Sequence, residues 1–172
     1  MLSLTIFWPI AIIPPTAWRR PCVRAEEGEA SLQHDKTWLV ADGWRETQRT
    51  GPFMASIGPL WAKREKQAWS YGLLAGGRHL NPAGVVHGGL LQALIDHVLS
   101  VLAWQAVERR PCITVQTDTH FLGAVHEGEF IVGQGTETHR TRNLIFMKGH
   151  LTVDDTPVLS AQAIFKIVGG RS

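Results

Sequence analysis

The residue best suited to chemistry is an acid in an apolar setting. Asp96 interrupts the stretch Gly88 to Ala106, whose apolar residues stand at 90, 91, 94, 95, 98, 99, 101 and 102. An ionised carboxylate is rarely buried without a partner, and His97 or an arginine would supply one. Upstream lies the loop Asn81-Pro82-Ala83-Gly84-Val85-Val86, and then His87-Gly88-Gly89. The first turn of a helix has free N–H groups and a partial positive charge. A histidine and two glycines there could bind an oxygen that is, or becomes, negative. Each residue also has a structural use. Asn81 before Pro82 is a common turn former. His87 suits a helix start. The glycine pair permits close helix–strand packing.

Spacing adds a constraint. Asp96 lies nine residues after His87. At 3.6 residues per turn, that is about 180° around a helix and about 13 Å along it. One helix cannot aim both residues at one site. If both serve one reaction, they come from different subunits, which predicts a two-fold dimer with composite sites.

The elements that must position these residues follow from periodicity. The apolar positions of Gly88 to Ala106 cover most of a helix circumference, which predicts a central helix. Thr37 to Thr50 suits a short amphipathic helix, stopped by Thr50-Gly51-Pro52. Ala55 to Lys63 and Ala68 to Ala75 read as a hairpin, with Arg64 to Gln67 between them. After the helix, Cys112 to Leu122 alternates, with Ile113, Val115, Thr117, Thr119 and Phe121 on one face and Thr114, Gln116, Asp118 and His120 on the other. Strands follow over Glu129 to Thr138, with Gly133 and Gly135 marking a bend, over Thr141 to Val153, and over Val158 to Val168. A turn at Asp154-Asp155-Thr156-Pro157 precedes the last. The order predicts an α+β fold, one long helix packed on a curved antiparallel sheet.

The bulk composition excludes several classes. The chain of 172 residues suits one domain. Net charge is +2, with 17 basic residues scattered along the chain, too weak a field to argue for nucleic acid. Cys22 and Cys112 form no CxxC, and nothing requires an oxidising compartment. No apolar run is long enough to span a bilayer. Residues 1–35, apolar over Leu2 to Ile13, broken by Pro14-Pro15 and acidic at Glu26 to Glu29, read as a poorly ordered extension or a start-site artefact, with a targeting segment and a docking strand or helix as the other readings. The folded domain is expected over 36–172, beginning near Lys36.

Asn81, the triplet six residues later and Asp96 beyond it resemble a known family. They match the hotdog-fold acyl-CoA thioesterases of the phenylacetic-acid-pathway type, within the 4-hydroxybenzoyl-CoA thioesterase superfamily. Gly51-Pro52-Phe53, Ile57-Gly58, Ile113-Thr114-Val115 and Phe121-Leu122 agree, and the likeness spans roughly residues 37 to 168. The resemblance implies a cytoplasmic homodimer, often paired again into a tetramer, with acyl-CoA as substrate and active sites at the dimer interface. It implies that Asp96 acts as base or nucleophile, that the Gly88 N–H, with His87 and Gly89, polarises the thioester carbonyl, and that Asn81 places the attacking water. Thr114 corresponds to a serine or threonine often found in the strand after the helix, although its parity here is the polar one. No metal or redox cofactor is implied, since coenzyme A is part of the substrate.

A positioned water, a base and an oxyanion site suffice to hydrolyse a thioester. The phosphates of coenzyme A would need cations, for which Arg140, Arg142 and Lys148 are candidates. Trp69, Tyr71, Trp104 and Phe121 could line an acyl pocket or belong to the core. Two other readings share the fold. One is a non-catalytic acyl-CoA sensing module, which would not need Asp96. The other is a hydratase or dehydratase, which usually pairs a histidine with an acid in a different local arrangement.

Overall fold

A computed structural model describes residues 37–169, apart from 49 and 67. The expected extension over 1–35 lies outside the described residues. Helix α3 (Gly88–Ala106) has the bounds that its periodicity predicts. It lies in the curve of an antiparallel sheet built from β1 (Arg45–Glu46), β2 (Leu60–Glu65), β3 (Ala68–Leu74), β4 (Cys112–Phe121), β5 (Phe130–Arg140), β6 (Leu144–Val153) and β7 (Thr156–Ile167). The strand order is β1-β2-β3-β5-β6-β7-β4. A long helix wrapped by such a sheet is the hotdog fold.

Helical spacing brings Leu91, Leu94, Ile95, Val98, Leu99 and Ala103 against the sheet, where all are buried. Inward strand positions such as Ile131, Ile145, Leu151, Leu159 and Phe165 complete the core. Gly135 faces Gly149 across β5 and β6. A Cβ on either would come within 2.5 or 2.7 Å of the Leu99 side chain, so these glycines let the helix approach the sheet closely. Burial is less complete than the central-helix expectation. Gly89 and Trp104 are exposed, and Ala93, Asp96, His97 and Ser100 only half-buried. Within one chain, α3 therefore has one covered flank and one open flank.

The segment before β3 departs from expectation. The helix expected over Thr37 to Thr50 ends as α1 (Thr37–Ala41), because Asp42-Gly43 turns the chain, with Gly43 at φ +90°. Trp44 then folds back edge-on to Phe130, at 4.9 Å between ring centroids, and Leu39, Trp44 and Trp61 form a separate small core. Thr50-Gly51-Pro52 starts a helix rather than stopping one. It opens α2 (Gly51–Ile57), with Pro52 in the first turn, where its missing N–H leaves nothing unpaired. The strand expected from Ala55 therefore begins only at Leu60.

Two strand details bear on the site. Asp154 and Asp155 both have positive φ and make a two-residue turn, so β7 begins at Thr156 rather than Val158. In β4, Thr114 pairs with Phe165 and Gln116 with the adjacent Ile164, leaving Val115 as an extra residue. This bulge breaks the strict alternation. Thr114 stands on the helix side with Thr117 and Thr119, not with Gln116 and Asp118.

Candidate active site

The start of α3 is held from several directions. His79 is buried, and its Nδ1 accepts a hydrogen bond from the Gly76 N–H at 2.9 Å. Its Nε2 must then carry the proton and donate to the Ile57 carbonyl at 2.6 Å. The Arg78 Nε, 3.2 Å from the same Nε2, thus meets a second donor, whereas the Arg78 Nη2 donates to the Ile57 carbonyl at 2.7 Å. The His79 carbonyl accepts from the His87 N–H at 2.8 Å. The end of α2 is thereby tied to the N-cap of α3.

Asn81 organises the loop between them. Its Oδ1 accepts from the Ala83 N–H at 2.9 Å and the Val85 N–H at 3.4 Å, and its own N–H donates to the Val85 carbonyl at 2.8 Å. The turn-forming use of Asn81 is therefore realised, and only its amide NH₂ remains for other work. His87 caps the helix, its Nδ1 accepting from the Gly89 N–H at 2.9 Å. The Gly88 N–H has no partner among the described residues. It is an open donor at a helix N-terminus. A Cβ at Gly88 would lie 3.3 Å from the Phe121 ring, which stands beside this donor and is largely exposed.

Asp96 lies elsewhere. The Thr114 Oγ1 donates to its Oδ1 at 3.0 Å, and the Thr117 Oγ1 donates to the same oxygen at 3.3 Å. One turn earlier on the helix, the Gln92 Oε1 accepts from the Thr119 Oγ1 at 2.6 Å. A polar seam thus joins one flank of α3 to β4. No arginine or histidine pairs with Asp96 among the described residues. Burial lowers the pKa of the adjacent His97, with the charge of Asp96 acting in the opposite direction. No described contact joins Asp96 to His87, Gly88 or Asn81.

The three candidate cations do not converge on Asp96. Arg140 is held by Glu137 through both Nε and Nη2 and lies near Glu108 and Cys112, towards the far end of α3. Lys148 is exposed between inward-facing Met147 and Gly149, so it stands on the outer face of the sheet, in a groove with Thr136, His150, Ser160 and Gln162. Arg142 is exposed in the turn between β5 and β6. Of the aromatic candidates, Tyr71 is buried and accepts from Gln105 at 2.9 Å, whereas Trp104 is partly exposed and carries Arg109 over its ring.

Sequence reasoning missed Thr117, Thr119 and Gln92. The available signals were a second polar residue four before Asp96, and a strand carrying threonine at 114, 117 and 119. Among the described residues, no group of three or more His, Cys, Asp and Glu side chains could hold a metal ion. No described helix is long and apolar enough to cross a membrane.

Residues 83–160 match the family model described as the thioesterase superfamily. That span holds the triplet, Asp96, Thr114 and Thr117. Solved structures share the fold. A hypothetical thioesterase protein of Streptococcus pneumoniae, solved with coenzyme A, is 20% identical with a TM-score of 0.57, over 66% of this chain and 91% of that one. It was also solved with an aspartate, and with a threonine, replaced by alanine. Zebrafish thioesterase superfamily member 2 is 17% identical with a TM-score of 0.62, over 68% of this chain and 88% of that one. A Streptococcus mutans protein bound to acetyl CoA is 19% identical with a TM-score of 0.54, over 60% of this chain and 82% of that one. No curated protein matches this chain in sequence.

Proposed function

We propose that this chain is an acyl-CoA thioesterase of the phenylacetic-acid-pathway type, hydrolysing an acyl- or aryl-CoA thioester to the free acid and coenzyme A. The observation that carries the reading is a half-buried carboxylate, Asp96, cradled by hydroxyls and paired with no cation among the described residues, on the helix whose N-terminus offers the open Gly88 N–H. A carboxylate so placed has little structural purpose, which argues against a sensing module. Coenzyme A in two of the similar structures agrees with the substrate class.

The reaction needs an oxygen nucleophile and an oxyanion site. In one route, Asp96 takes a proton from water as the water oxygen bonds to the thioester carbon. The Gly88 N–H stabilises the negative oxygen that forms, the C–S bond breaks, and the departing sulfur takes up the proton. In the other, Asp96 itself attacks the thioester carbon and the C–S bond breaks to expel the thiolate of coenzyme A; water then cleaves the anhydride, freeing the acid and Asp96 and supplying the proton that the thiolate takes up. His87 and Gly89 shape the oxyanion corner, and the Asn81 amide is free to hold the water. Of the three candidate cations, Arg142 is exposed and in no ion pair with a described residue, which leaves it freest to meet a coenzyme A phosphate. Arg140 would first have to leave Glu137, and Lys148 would serve only a ligand reaching the outer face.

A composite site requires a homodimer, and β4 suits its formation. It is the terminal strand of the sheet, ten residues long, and Ile113, Val115 and Phe121 are 58%, 59% and 55% exposed. A long apolar edge of this kind invites a second strand. Pairing there would also bring the open flank of α3 towards its counterpart. Further pairing of dimers, a cytoplasmic location, and a single domain over 36–172 complete the proposal. Thiol release over a panel of acyl-CoAs tests it. Native protein should hydrolyse part of the panel, and Asp96→Ala should lose about a hundredfold or more in kcat while keeping its fold. Unchanged turnover in the variant would sink the assignment.

A further inference from the structure

Asp96 Oδ1 is held by two hydroxyls, and Oδ2 by none. Thr114 and Thr117 both donate to Oδ1, at 3.0 and 3.3 Å, and Oδ2 accepts no hydrogen bond from any described residue. Two threonines three apart in a regular strand face opposite ways. Here they share a face because Val115 is inserted as a bulge between the pairs Thr114–Phe165 and Gln116–Ile164. Beyond the bulge, regular alternation restores Thr117 and Thr119 to the helix side, opposite Ala163 and Ala161. Two donors at one oxygen from two points along a strand fix the rotation of the carboxylate about its last bond. A single donor would leave that broad torsion loose. Threonine is suited to this because its branched Cβ restricts χ1, so each hydroxyl is already aimed before Asp96 meets it.

We infer that Thr117 is a positioning residue. Together with Thr114 it clamps Oδ1, so that Oδ2 is the oxygen of Asp96 that takes the proton from water or attacks the thioester. This rests on the hydrolase reading of Asp96. The clamp assigns the bulge a purpose, since removing the inserted residue would turn one of the two hydroxyls away from the acid. A purely structural role is the alternative, in which the two threonines only satisfy a half-buried acid.

Thr117→Val keeps the shape and branching of the side chain and deletes the hydroxyl, whereas Thr117→Ser keeps the hydroxyl. Thiol release by both variants, by Thr114→Val and by Asp96→Ala, with thermal midpoints alongside, decides between these roles. A positioning role predicts that Thr117→Val loses about tenfold in kcat with KM within about twofold of native, because the ground state binds as before and the reacting oxygen is misaligned. Thr117→Ser should recover most of that loss, and the thermal midpoint should not track the change in kcat. The inference is overturned if Thr117→Val turns over normally while Asp96→Ala is dead, or if Thr117→Ser is as poor as Thr117→Val. If Asp96→Ala itself turns over normally, the hydrolase reading falls first, and the clamp falls with it.

Discussion

Around Asp96, each neighbouring group acts in a different way. Hydroxyl donors from β4 take up one carboxylate oxygen, and the imidazole of His97 is close enough to feel its charge without bonding to it. Burial outweighs that charge and holds the His97 pKa below its ordinary value near 6.5. The sign of the linkage follows. In the unfolded chain His97 titrates near 6.5, in the folded chain lower, so the unfolded state binds more protons between the two values. This contribution to stability is complete above about pH 6.5 and is lost as pH falls through the folded value. Thermal midpoints measured from pH 7 to pH 5 should therefore fall less for His97→Gln than for native protein; parallel curves would remove His97 from the pH response. The importance of Asp96 was legible in the sequence because an acid in an apolar helix demands an explanation. Its partners were not legible. The expectation of His97 or an arginine comes from pairing charge with charge. Thr114 is a candidate only through the resemblance, on the polar parity until the bulge turns it towards the helix, whereas Thr117 and Thr119 read as ordinary members of the apolar face.

The elements fall into two groups by how local their causes are. α3 and the strands after it follow from periodicity within their own residues, and their observed bounds lie within a few residues of those expected. The segment before β3 does not, because Trp44 and Trp61 pack on the outer face around Phe130, and that contact is set by residues far along the chain. The bulge at Val115 belongs with the second group, since its register depends on β7. The glycines of β5 and β6 have a purpose that local pattern also hides. Gly133 and Gly135 read as a bend in β5; Val98 presses on the sheet at Gly133, and Leu99 at Gly135 and at Gly149 of β6. Gly135→Ala should push on Leu99 and destabilise the fold by about 1–3 kcal/mol, read as a lowered midpoint in denaturant with an unchanged slope. A midpoint equal to native would mean that the helix can shift away freely.

At the scale of the whole molecule, one chain holds both halves of the proposed site but no contact between them. The Gly88 N–H opens at one end of α3, and Asp96 faces β4 a little over two turns further on. Among the described residues, nothing covers one flank of α3 or pairs with the apolar edge of β4 beside it. A second copy related by a two-fold axis would cover both features and could bring the Gly88 of one subunit to the Asp96 of the other. Gly88→Pro is the variant suited to the first half. It replaces the open N–H by a ring methylene that cannot donate, proline is well tolerated at the first helical position, and His87 already has the extended conformation that proline asks of the residue before it, at φ −61° and ψ 130°. Its Cβ meets the exposed side chain of Phe121 at 3.3 Å. Alone it should lose about a hundredfold or more in kcat with its helix intact.

Mixing the two inactive variants tests the composite site most directly. Asp96→Ala and Gly88→Pro chains are unfolded and refolded together in equal amounts, and thiol release is compared with each variant refolded alone. Half of the random dimers would carry one variant of each kind, and each of those would hold one site with both groups native. The mixture should therefore recover about a quarter of native activity, although neither parent has more than a trace. A mixture no more active than its parents would contradict the composite site and place the reaction within a single chain.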